Sequence, residues 1–191
     1  MPAKSSSSSG FSLVEVLVSM GILTAVSLGV AQLFAVAATT NFTAKGQTSA
    51  TTLAEQKMEQ LRALTWGFDP DGLGLPVSDT STNLAVDPPR PTGGGLNPSP
   101  ANSLEENTPG YVDYLDEHGV YVGTGPTPPQ RAVFIRRWSV QPLPTNPNNT
   151  LVLQVLVTRV SIDSARRVTG GTRPRMAGDA LLVSVKTRKA L

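Results

Sequence analysis

Residues 11–38 read FSLVEVLVSMGILTAVSLGVAQLFAVAA, apolar or small side chains with no proline and one charge, Glu15. At about 1.5 Å rise per residue this run is longer than the roughly 20 residues a helix needs to cross a bilayer core. It is also about twice the 7 to 15 residues of a secretory h-region, which argues against a conventional cleaved signal peptide. Glu15 is out of place in such a helix, because a carboxylate in hydrocarbon costs several kcal/mol unless it is neutralised or paired. One reading lets Glu15 snorkel to the interface from the helix start. The other supplies a partner charge from a second subunit. Charge does not set the orientation of the span, since Lys4 and the α-amine precede it while Lys45, Lys57 and Arg62 follow.

Upstream, residues 1–10, MPAKSSSSSG, are too short and serine-rich to build a core and read as a processed leader. Downstream, no proline interrupts the chain until Pro70. Ala50, Leu53, Ala54, Met58, Leu61 and Leu64 mark one apolar stripe, with Glu55, Lys57, Glu59, Gln60 and Arg62 mostly off it. The second half of the helix, residues 39–66, is therefore amphipathic, and Gly67 reads as its C′ stop. From Phe11 to Leu64 such a helix measures about 80 Å. Gly21 and Gly29 either let another helix approach closely or are simply tolerated in a span.

Gly10 followed by Phe11-Ser12-Leu13-Val14-Glu15 resembles the cleavage and methylation motif of type IV prepilins and type II secretion pseudopilins. The resemblance implies that a membrane prepilin peptidase cuts between Gly10 and Phe11 and N-methylates Phe11. It also implies that Glu15 pairs with the N-terminal amine of a neighbouring subunit during assembly. Two charges that are each costly in hydrocarbon become tolerable as a pair, and Gly10 adds no bulk beside the cut. Major pilins usually carry a proline in mid-helix, where this chain has Gln32. That departure points to a minor pilin or pseudopilin, as does the resemblance of LAEQKMEQLR, residues 53–62, to the helix ends of those proteins.

Fourteen of the 16 prolines fall between residues 70 and 147, and residues 67–130 read as a long Pro/Gly-rich variable region, either a displayed loop or partly mobile. Within it, Tyr111–Val122 reads as a strand pair about a turn at Asp116–Gly119. Three clearer strands follow in residues 131–191: Arg131–Pro142, Thr150–Val160 and Ala180–Arg188. In the second, Leu151, Leu153, Val155 and Val157 share a face. In the third, Leu181, Val183, Val185 and Thr187 are expected to face in, with Ser184, Lys186 and Arg188 out. PTNPNN and RRVTGGTRPR read as turns. The expected fold class is α+β, a long N-terminal helix packed on a small antiparallel sheet as in type IV pilins. The order of elements and the RRWSV segment resemble minor pilins and pseudopilins of the I/V type over residues 111–188.

With no Cys and one His, disulfide scaffolds, thiolate sites, cysteine nucleophiles and multi-histidine metal centres are excluded. His118, flanked by Asp113, Asp116 and Glu117, reads as a solvated loop residue rather than an acid-base catalyst. No cofactor is expected; calcium has candidate ligands at Asp69/Asp71 or at Asp113/Asp116/Glu117, and neither spacing matches an EF-hand loop. Gly93-Gly94-Gly95 reads as turn material and not as a phosphate cradle. Two sequons, at Asn41 and Asn148, are short patterns expected by chance.

The formal net charge of +2 conceals a polarity. Residues 53–118 hold 11 Asp/Glu against 3 Lys/Arg, and residues 131–191 hold 11 Lys/Arg against 2 Asp/Glu. Arg136, Arg137, Arg166 and Arg167 are therefore candidates for contact with DNA or, favoured here, with the acidic region of a sister subunit. The expected protein is a non-enzymatic minor pilin or pseudopilin of a type IV pilus or type II secretion system. Its partners are prepilin peptidase, other pilins and the bacterial inner membrane, with the head in the periplasm. The alternatives are a single-pass anchored extracytoplasmic protein that never polymerises, or a DNA-binding minor pilin of a competence pilus.

Overall fold

A computed structural model describes residues 10–69, 71, 73–169 and 178–188 of the 191. Helix α1 runs Leu13–Ala63. The chain divides into two compact units, one ending at Phe42 and the other starting at Thr43.

In the first unit, every described side chain is exposed, as an unbroken apolar helix without a protein partner must be. The second unit begins where the helix acquires a buried face of Gly46, Ala50, Leu53, Ala54, Lys57, Met58 and Leu61. These residues recur at three, four and seven, so they form one stripe. That stripe lies on a five-stranded antiparallel sheet, giving the expected α+β fold.

Six short strands precede the longer ones: β1 (Trp66–Phe68), β2 (Pro76–Ser78), β3 (Thr82–Asn83), β4 (Arg90–Pro91), β5 (Val112–Leu115) and β6 (Tyr121–Gly123). They are followed by β7 (Phe134–Pro142), β8 (Thr150–Arg159), helix α2 (Val160–Thr169) and β9 (Ala180–Thr187). The sheet order is β6-β5-β7-β8-β9, while β1 pairs with β2 and β3 with β4 in two separate hairpins. Trp138, Val140, Leu151, Leu153, Val155 and Val157 meet the helix stripe in the main core. The opposite sheet face buries a smaller cluster of Val112, Tyr114 and Ile135.

The strand pair at 111–122 is β5 and β6, closed by hydrogen bonds from Asp116 N to Val120 O and from Gly119 N to Asp116 O. Elsewhere the structure departs from the sequence reading. Helix α1 ends at Ala63, and Gly67 lies inside β1 instead of capping the helix. Val160, read as a strand end, and residues 166–169, read as the start of a turn that continues to 175, belong to helix α2, with Asp163 in its first turn; residues 170–175 lie outside the described residues. The region 67–130 is neither helix nor a simple displayed loop, because it buries Leu84, Ala85 and Leu96 in the main core.

The phase of β9 is the reverse of the expected one. Val183 and Val185 are 56% and 58% exposed, while Ala180 and Leu182 pack on the core. Pairing with β8 decides this: Val155 faces Leu182 and Val157 faces Ala180, so those residues share the helix side. Lys186 and Arg188 stand on that same side without burying their charges in the core. Lys186 Nζ donates to Arg62 O at the end of α1, and the Arg188 guanidinium lies 3.7 Å from the Trp66 ring centroid.

Gly93 and Gly95 owe their identity to close backbone approach. A Cβ on Gly93 would stand 2.1 Å from Asn83 Cα, and Gly95, at φ +50°, faces Asp79 O. The hydrogen bonds Gly93 N to Ser81 O and Gly95 N to Thr82 O hold this contact. Gly93→Ala forces backbone apart where no flexible side chain can yield. It is expected to destabilise the second unit by about 1–3 kcal/mol, read as a lower denaturation midpoint of the full chain in detergent.

Candidate processing and assembly site

Residues Gly10–Ser12 precede α1, and the first helical turn carries Glu15. Val16 N donates to Ser12 O and Ser19 Oγ to Glu15 O, so the backbone is helical from its first turn. Among the described residues, no cation forms an ion pair with the Glu15 carboxylate. A Cβ at Gly10, Gly21 or Gly29 would meet nothing within 4 Å among the described residues. The fold of this chain therefore requires glycine at none of these three positions. One 18-residue window of α1 has a mean hydropathy of 2.1, apolar enough to cross a membrane.

The arginine candidates lie elsewhere and do other work. Arg136 of β7 is buried and bidentate to Asp113 of β5, Nε to Oδ1 at 2.9 Å and Nη2 to Oδ2 at 2.8 Å. Its Nη1 donates to Leu53 O on α1 at 3.1 Å. Arg137, 2% exposed on the other face of β7, holds Asp163 of α2 with two hydrogen bonds and donates twice to Asn107 Oδ1. Arg166 of α2 pairs with Asp179. These three side chains are closed inside the head and offer no charge to phosphates or a sister subunit, which corrects the expectation for Arg136, Arg137 and Arg166. Burying a guanidinium demands a paired carboxylate, and the nearby acids satisfy it within the chain. The Arg167 side chain lies outside the described residues.

Of the calcium candidates, Asp69, Asp113 and Asp116 are engaged within the fold. Asp69 accepts from the N–H groups of Leu73 and Leu75, and Asp116 Oδ1 from those of His118 and Val120. The Val120 and His118 hydrogen bonds hold the Asp116 carboxyl below the usual range. Asp113 is taken by cations, and among the described residues no three acids or histidines gather into a metal site. Glu117 and His118 are exposed in the turn.

Lys57 is the residue the sequence reading misplaced. It is 1% exposed, with Nζ 2.8 Å from Asp113 Oδ2, 2.6 Å from Leu84 O and 4.5 Å from the Trp138 ring centroid. Burial lowers its pKa to about 8, partly offset by Asp113 and reinforced by Arg136. The signal was present in the spacing. Lys57 stands seven residues after Ala50, and four from both Leu53 and Leu61, squarely on the apolar stripe.

The geometry thus combines a head whose buried Lys57, Arg136, Arg137 and Arg166 meet carboxylates of the same chain with a helix of exposed apolar side chains whose Glu15 forms no ion pair among the described residues. Residues 5–31 match the family model described as the prokaryotic N-terminal methylation motif. That match covers the N-terminal segment alone, which is similar to that of type IV prepilin-like proteins and consistent with anchoring in the inner membrane. No curated protein and no solved structure matches the chain.

Proposed function

We propose that the chain is a minor pilin or pseudopilin, a structural subunit cut between Gly10 and Phe11, N-methylated on Phe11 and packed into a filament through residues 11–38, with its head in the periplasm. One observation carries the reading. The methylation motif opens a helix whose Gly21, Gly29 and Glu15 have no partner within this chain among the described residues, so a neighbouring molecule is free to supply one. The absence of a mid-helix proline at Gln32 supports a minor subunit over a major one.

The competence-pilus reading has lost three of the four arginines that favoured it, since Arg136, Arg137 and Arg166 are buried in ion pairs. The N-terminus in cells separates the filament subunit from an anchored protein that never polymerises. Methylated Phe11 supports the former, whereas intact Met1 or a cut near residue 38 supports the latter. Gly10→Leu places bulk beside the scissile bond and is expected to leave the leader attached, a mass increase of about ten residues by intact mass spectrometry. Normal maturation of that variant overturns the processing assignment.

A further inference from the structure

Two cations share one carboxylate beneath the hairpin of β3 and β4. Asp113 accepts from Lys57 and, twice, from Arg136, and its side chain is 2% exposed. One positive charge is therefore in excess at a site closed to water. The remaining ionisable groups around Lys57 are few: Asp87 in the loop of the hairpin acts on it across space, and Tyr121 of β6 stands beyond Asp113. Glu55 and Glu59, on its own helix, are exposed. Lys57 also ties the tip of the hairpin to α1, through its hydrogen bond to Leu84 O.

We propose that the β3–β4 hairpin is a strap that lifts locally from α1 while Lys57 carries its proton and is locked down when the proton leaves. Lifting returns the ammonium to water and its pKa toward 10.5, whereas under the strap burial lowers it to about 8. Between these values the lifted state binds more protons, so rising pH favours the closed state. Loss of the proton leaves Asp113 and Arg136 as a neutral, fully hydrogen-bonded pair. Leu84 and Ala85 hold the strap down by apolar burial at all pH values, so the lifted state is a minority that opens without global unfolding.

The chain has no cysteine, so one introduced thiol reports opening. In the full chain in detergent, Ala85→Cys puts the thiol under the strap. Its labelling rate, divided by that of the denatured chain to remove the thiolate titration, is expected to fall roughly tenfold from pH 7 to pH 9. Val157→Cys, on β8 in the main core, is expected to label far more slowly at both pH values. Adding Lys57→Met to Ala85→Cys is expected to remove the pH dependence. A pH-independent normalised rate at residue 85 overturns the proposal. So does labelling of Val157→Cys as fast as residue 85, because the opening is then global. The two single-thiol chains with native Lys57 decide the matter even where Lys57→Met does not fold.

Discussion

Glu15→Val is expected to be processed and inserted like the wild type, and to be nearly absent from filaments. The substitution makes the span cheaper in hydrocarbon, since it removes the one charge among residues 11–38. Under the proposed assembly role it also leaves the N-terminal amine of the neighbouring subunit without its counter-charge. Breaking a buried pair by removing one partner costs about 3–5 kcal/mol, and 3 kcal/mol corresponds to roughly a hundredfold in an equilibrium. Immunoblots of sheared filaments against the membrane fraction read this directly. Filament levels equal to wild type reduce Glu15 to an interfacial residue and remove the assembly role.

Asp113→Ala is expected to have the largest effect on the head. It leaves Lys57 and Arg136, both buried, facing each other with no anion between them. The cost of one uncompensated buried charge is about 3–5 kcal/mol, a large part of the 5–15 kcal/mol typical of a whole domain. The variant should unfold at markedly lower denaturant, followed by the fluorescence of Trp138, whose ring faces Lys57. Lys57→Met in the same background restores part of the loss, because it takes away one of the stranded charges. A midpoint within experimental error of wild type for Asp113→Ala would mean that the cluster is hydrated and carries little of the fold.

The unequal legibility of these sites has a physical origin. Glu15 was readable because a span has one environment, hydrocarbon, against which any charge stands out. Lys57 has a helical spacing that placed it on the core stripe, yet its chemistry argued for the surface. Only a carboxylate arriving from β5, 56 residues later in sequence, makes its burial tolerable. The four arginines look alike in sequence, as clustered positive charge. Asp113, Asp163 and Asp179 turned three of them inward.

What the sequence determined by itself is whatever depends on local composition and period: the apolar helix from its methylation motif onward, the stripe that carries the head, the strands β5 to β8, and the α+β class. Tertiary structure decided what depends on partners distant in the chain. The phase of β9 followed from its register on β8, because both faces of that strand carry apolar residues and alternation alone selects neither. Helix α2 has only a few apolar residues at helical spacing and is fixed in place by Arg137 gripping Asp163. The proline-rich region folds against the core because Leu84, Ala85 and Leu96, scattered among turn residues, each find a site on it. A charge or an isolated leucine acquires its place only when the fold supplies the counter-ion or the cavity, and no local pattern encodes either.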